Sequence, residues 1–167
     1  MRKFIIIIII FIMSSNIIFC EEQKKDFIKE RLIGIFYNKA LIDDKGYSDM
    51  IDLRLQTSYR INNFPIIPYQ EADIKYSITD TNPRYSISLL FGFKNYFIED
   101  ESGFTFSGDL GIGGIAGNKK DNKSLFGIAY RISLSLGYKN INFCYGVDFN
   151  SGLPYQSTLF AGLNYKW

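Results

Sequence analysis

Apolar and polar residues alternate along most of this chain. From Tyr130 to Phe149 the apolar positions are Tyr130, Ile132, Leu134, Leu136 and Tyr138, then Ile141, Phe143, Tyr145, Val147 and Phe149. Between them stand Arg131, Ser133, Ser135, Gly137, Asn142, Cys144, Gly146 and Asp148. A period of two sends successive side chains to opposite faces of a β-strand. Lys139-Asn140, between the runs, predicts a tight hairpin turn.

The same pattern recurs upstream and downstream. A first strand over Arg31–Lys39 is the least regular. The second sets Ile51, Leu53, Leu55, Thr57, Tyr59 and Ile61 against Asp52, Arg54, Gln56, Ser58 and Arg60. The third sets Ala72, Ile74, Tyr76 and Ile78 against Glu71, Asp73, Lys75 and Ser77. The fourth runs from Tyr85 to Phe93, with a continuation towards Ile98, and the fifth from Phe104 to Gly113. A last strand carries Leu159, Ala161, Leu163, Tyr165 and Trp167 on one face. With the Tyr130–Phe149 hairpin this makes eight strands and predicts an all-β fold. Eight antiparallel strands can close up-and-down into one small barrel without free edges; strand count alone leaves a two-sheet sandwich open.

The two faces differ in composition. On strands four to eight the polar face is mostly Gly, Ser, Ala, Thr and Asn, whereas a water-facing surface is rich in long Lys and Glu side chains. Small residues suit the interior of an eight-stranded barrel, which has room only for packed side chains. The apolar face carries no charge on strands two to eight and is too large for one domain to bury. The polar face is therefore expected to point in and the apolar face out, into lipid. Tyr59, Phe91, Phe93, Phe104, Tyr138, Phe143, Tyr165 and Trp167 fall on the side shared with the chain ends, around an aliphatic band. Such girdles are expected of a transmembrane β-barrel. The other rim is thinner, with Tyr85, Phe126 and Phe149.

The N-terminus agrees with export. Arg2 and Lys3 precede an apolar run from Phe4 to Met13 and a polar break, the layout of a secretory signal peptide. The expected division is a signal peptide over 1–20, a short polar segment over 21–29 and a barrel domain over 30–167. All 17 acidic residues follow position 20, and of the 19 basic ones only Arg2 and Lys3 precede it. The remainder is formally neutral, so no nucleic-acid partner is expected. Cys20 ends "NIIFC", which leaves open lipidation at a lipobox, although Phe19 stands where a small residue is usual. With Cys144 as the other cysteine, neither a disulfide nor a metal site is expected.

The chain closes with "FAGLNYKW", in which Gly162, Tyr165 and Trp167 keep the spacing Gly-x-x-aromatic-x-aromatic. This ending resembles the C-terminal signal by which outer-membrane β-barrels are recognised for assembly; Phe160 stands where that signal usually has a polar residue. Signal peptide, eight alternating strands and this ending together resemble the small OmpA/OmpX-type outer-membrane β-barrel proteins. The resemblance implies a bacterial outer-membrane location and two partners, outer-membrane lipid and the barrel assembly machinery.

Candidate chemistry lies on the inward face. Asp52, Arg54 and Arg60 are expected to face Glu71, Asp73 and Lys75 on the adjacent strand, with Asp109, Arg131, Asp148 and Lys166 added by later strands. A network of mutually neutralising lumen charges is the favoured reading over a gated pore or proton relay, because unpaired burial is costly. No histidine is present, which removes Ser-His and Cys-His nucleophile pairs. The resemblance to lipid A deacylase and palmitoyltransferase barrels fails for the same reason, so no enzymatic activity is expected. "GDLGIGG", Gly108–Gly114, lies mid-strand with no following helix, so no nucleotide cofactor is expected. Its glycines instead make room for larger inward residues, and Cys144 reads as a small lumen filler.

The expected function is structural, adhesive or surface recognition, through the loops Asn38–Ser48, Ala116–Ser124 and Asn150–Gln156. Lys119, Lys120 and Lys123 are the candidate loop contacts, for lipopolysaccharide phosphates or a host glycan. Two alternatives stay open: a lipocalin-like barrel, anchored at Cys20 or soluble, whose greasy face lines a ligand cavity, and a narrow transporter for small hydrophobic molecules.

Overall fold

A computed structural model describes residues 27–42, 46–61, 65–79, 85–118, 124–153 and 155–167. The strands are β1 (Phe27–Ile42), β2 (Gly46–Ile61), β3 (Ile66–Ser77), β4 (Tyr85–Glu99), β5 (Phe104–Asn118), β6 (Ser124–Tyr138), β7 (Ile141–Asn150) and β8 (Tyr155–Lys166). Each pairs antiparallel with its sequence neighbours, and β8 pairs with β1, so the sheet closes into a barrel in simple up-and-down order. Closure leaves no edge strand. The two-sheet sandwich is thereby excluded.

The strands are steeply tilted. Following cross-strand partners from Phe36 in the middle of β1 leads through Gly162, Cys144, Ser135 and Ser107 to Tyr96, close to the end of β4. Each lateral step descends the barrel, the geometry that strand closure requires. The barrel has a terminus rim, holding Phe27, Trp167 and the connections after β2, β4 and β6, and an opposite loop rim. At the terminus rim Lys139-Asn140 forms the expected tight turn, with Lys139 at φ 54°. The turn after β4 is held by Asp100, whose carboxylate accepts from Ser102 Oγ at 2.7 Å and the Phe104 amide at 2.8 Å. Those bonds hold the Asp100 carboxyl below its usual range.

The strands run further than the pattern indicated. β1 begins at Phe27, within the segment expected to precede the barrel, and Asn38–Ile42 and Gly46–Ser48 are ladder residues rather than loop. Ala116–Asn118, Ser124 and Asn150 also belong to strands. The connections at the loop rim are consequently short. Lys119, Lys120 and Lys123 lie outside the described residues, as do the signal segment and Cys20.

Burial follows the two faces. Ile35, Leu53 and Leu159 on the outer face are 57%, 55% and 64% exposed, while Asp52, Lys75 and Asp148 inside are 0%, 1% and 2% exposed. This is the reverse of the lipocalin-like arrangement, whose apolar side chains would line the cavity. Phe104, Tyr138 and Trp167 mark the terminus rim, but Phe91 pairs with Ile112 in mid-strand and belongs to the central band. The loop rim gains Tyr47 and Tyr76, both well exposed. Extension of β2 also places Asp49 on the outer face near that rim, where Tyr37 donates to it. Lys39, its cross-strand partner, leans over the Tyr47 ring instead, at 5.0 Å.

Candidate functional site

The lumen is filled in layers. Towards the loop rim Ala40, Met50, Leu90, Ile115, Ala129 and Leu153 form an apolar plug, with Leu125 packed against it. Leu153 comes from the connection after β7, so a loop residue completes the plug. Leu90 of β4 and Ile115 of β5 lie at inward positions of their strands, where the expected composition was small.

Beneath it lies a charge layer that brings together Asp52 and Arg54 of β2, Glu71, Asp73 and Lys75 of β3, Arg131 of β6 and Asp148 of β7, all buried. Strand register sets Asp52 beside Lys75 and Arg54 beside Asp73. Register also sets Arg131 of β6 beside Asp148 of β7, and further bonds cross the lumen. Arg131 Nε reaches Asp148 Oδ1 at 2.6 Å, and its Nη2 donates to Asp148 Oδ2 at 2.7 Å and Asp73 Oδ2 at 2.9 Å. Its remaining Nη1 contacts Glu71. Lys75 crosses to Asp148, and Arg54 Nε donates to Asp52 Oδ2 at 2.5 Å. An arginine fork suits this work, since it can engage several carboxylates from one fixed plane.

Arg54 is also clamped by rings. Its Cζ lies 3.8 Å from the Phe36 ring centre and 3.9 Å from that of Phe160, and the two rings meet edge to face at 5.7 Å. Phe36 is on β1 and Phe160 on β8, so the clamp bridges the seam at which the barrel closes. Gly162 and Gly146 leave space for these rings, and Cys144 packs with them as a buried filler. Tyr69 likewise lies over Gly92 and Gly111, where an added Cβ at either would come within 2.5 Å of it. Of the glycines in "GDLGIGG", Gly111 makes room for an inward aromatic as expected, whereas Gly108 lies against the outward Phe97, Gly113 against the Leu89 backbone, and Gly114 has open space around it.

The remaining candidates sit lower. Asp109 meets Lys94 at 3.5 Å and accepts from Ser133 at 3.3 Å. Arg60 is not part of the central layer: it lies at the terminus rim, pairing with Glu99 at 2.9 Å and covering the Tyr96 ring at 4.8 Å. There Lys166 approaches Glu30 at 3.5 Å, and Tyr96 donates to the same carboxylate at 3.2 Å. Gly162 faces the lumen, while Tyr165 and Trp167 point outward and are half exposed. Sequence reasoning missed Lys94, Glu30, Phe36 and Tyr69. Lys94 was detectable, because Gly92, Lys94 and Tyr96 continue the inward alternation of β4 past Phe93.

Little space is left among these groups. The void lined by Phe36, Arg54, Tyr69, Glu71, Asp109 and Arg131, among others, has a volume of about 10 Å³, room for about one water. Among the described residues no group of three or more His, Cys, Asp or Glu is arranged to hold a metal ion.

No protein-family model and no curated protein matches the chain. Solved structures do. Neisserial surface protein A (NspA) superimposes with a TM-score of 0.61 at 14% identity, over 86% of this chain and 100% of that one. Ail, the attachment invasion locus protein of Yersinia pestis, gives 0.56 at 14% identity over 85% of this chain and 99% of its own. Ail in complex with the heparin analogue sucrose octasulfate gives 0.52 at 16% identity, with coverages of 85% and 99%. At these identities the likeness is one of fold: the chain has the eight-stranded barrel of the OmpA/OmpX type that its sequence led one to expect.

Proposed function

We propose that this chain is an exported β-barrel of a bacterial outer membrane, closed to solutes and without enzymatic activity, acting as a structural or surface-recognition element. The observation that carries this reading is the inverted partition: large apolar side chains exposed around the belt, charged ones buried in the lumen. Only surroundings of lipid make that distribution favourable, since exposed apolar area on this scale is costly in water. The filled lumen supports a closed barrel over a transporter. Residues 1–20 would direct export, and Gly162, Tyr165 and Trp167 would present the C-terminal strand to the barrel assembly machinery.

If the surface binds a partner, its chemistry is anionic. Lys119, Lys120 and Lys123 stand together in the connection between β5 and β6, and one structure of the neighbour Ail holds a sulfated heparin analogue. With the loops this short, the exposed rim residues Lys39 and Tyr47 would share the contact.

The test is fractionation followed by a cold SDS gel of boiled and unboiled samples. A protein that partitions with outer membranes and shifts mobility on boiling supports the reading. A protein soluble without detergent, with no shift, overturns it.

A further inference from the structure

The charge layer does not balance. Asp52, Glu71, Asp73 and Asp148 contribute four carboxylates, and Arg54, Lys75 and Arg131 only three cations, all of them buried. The next pair down, Lys94 with Asp109, is internally neutral and supplies no surplus. Above lies the apolar plug. One negative charge in so enclosed a layer calls for one more positive charge.

The hydrogen bonds show where. Asp148 is engaged by Arg131 through both oxygens and by Lys75, with Arg54 Nη2 a further 3.9 Å away, so it is the carboxylate held most firmly as an anion. Among the described residues Asp52 and Asp73 each accept a hydrogen bond through Oδ2, from Arg54 and Arg131 respectively, and in each the buried Oδ1 has no hydrogen-bond partner. The two are diagonal neighbours on the lumen face of adjacent strands, flanking the rungs Asp52–Lys75 and Arg54–Asp73. Facing them are Arg54 on β2, Glu71 and Lys75 on β3, Arg131 on β6 and Asp148 on β7. On β1 Phe36 stands opposite Asp52, on β4 the buried Ser88 and Ser86 stand opposite Asp73 and Lys75, and on β8 the buried Thr158 stands opposite Asp148.

We propose that the central layer is a proton-binding site, in which the Asp73 carboxyl, diagonal to Asp52, holds one proton in the closed barrel. A metal cation fits poorly. The 10 Å³ void is not lined by Asp52 or Asp73, and two carboxylate oxygens are a sparse donor set. Protonation adds the missing charge without added volume and gives one orphaned oxygen a hydrogen to donate. The inference rests on the barrel's interior alone and holds wherever the barrel resides.

The full chain, refolded in detergent micelles, is examined by infrared spectroscopy for the carbonyl stretch of a protonated carboxylic acid at pH 7. The wild type is expected to show that band. Asp52→Asn and Asp73→Asn each remove the surplus charge, so each is expected to lose the band while still forming the heat-shifting barrel. A second readout follows from linkage. The folded barrel carries one proton more than the unfolded chain at neutral pH, so its stability falls as pH rises, by up to about tenfold in the folding equilibrium per pH unit. Asp73→Asn is expected to flatten that slope relative to the wild type. Absence of the band in the wild type overturns the proposal, as does a band that persists in both variants. Unfolding midpoints that depend on sodium rather than on pH overturn it in favour of a metal cation.

Discussion

The upper and middle parts of the lumen are closed by different physics. The plug of Ala40, Met50, Leu90, Ile115, Ala129 and Leu153 excludes water by apolar contact, which has no direction and tolerates repacking. The charge layer below closes the same bore with directional bonds, in which Arg131 alone engages carboxylates on β3 and β7. Loss of a methyl group in the plug leaves a small gap. Loss of one cation in the layer leaves buried anions without a counter-charge, and that asymmetry makes the layer the less forgiving of the two.

Replacing Arg131 tests the contrast most severely. Arg131→Leu takes the bonded cation from Glu71 and Asp73 and leaves Asp148 to Lys75, so the refolded barrel should lose about 3 to 5 kcal/mol, read from its urea midpoint in lipid vesicles. In the plug, Met50→Ala should cost about 2 to 4 kcal/mol, and single-channel recordings in planar bilayers should stay silent because the charge layer still blocks the bore. An equal cost for the two variants would dissolve the distinction. Arg54→Lys keeps the charge but loses the flat guanidinium between Phe36 and Phe160; about 1 to 2 kcal/mol is expected, with the boiled-sample gel shift retained. The smallest effect should come from the exposed turn. Asp100 accepts from Ser102 and Phe104 more strongly as a carboxylate, which is why its pKa is depressed. Its contribution is present above the ordinary carboxylate range and fades as pH falls through the lower folded value. Asp100→Asn should therefore be nearly silent at neutral pH, with its remaining difference from the wild type vanishing on acidification.

How far the sequence foretold this depends on height in the barrel. In mid-strand the contrast between faces is sharp, and Asp52, Arg54, Glu71, Asp73, Lys75, Arg131 and Asp148 could all be assigned inward from parity alone. Parity says nothing of height, so Arg60 shared a face with Arg54 yet ended at the rim beside Glu99. Partners across the bore were equally hidden, since Lys75 meets Asp148 only through the curvature of the closed sheet. Near the loop rim each face mixes polar and apolar residues, with Ala40 and Met50 pointing in and Tyr47 pointing out. Asn38 points in while Lys39 and Asp49 point out, and without a contrast the period of two disappears into what reads as a loop. Phe36 escaped notice because the first strand alternates least regularly, and Phe160 because an aromatic on the polar face looked like a departure from the C-terminal signal. It is the ring that covers Arg54.

The clamp and the cross-lumen bonds also bear on the order of events during assembly. Lys75 and Asp148 are 73 residues apart in the chain, Arg131 and Asp73 are 58 apart, and Phe36 meets Phe160 only across the β1–β8 seam. None of these contacts exists in a hairpin or in an open sheet, so they form late and together, at the moment the first strand finds the last. A strand paired one residue out of register would turn its own charges outward and its aliphatic side chains into the bore. The correctly closed ring is thus the arrangement that satisfies the network.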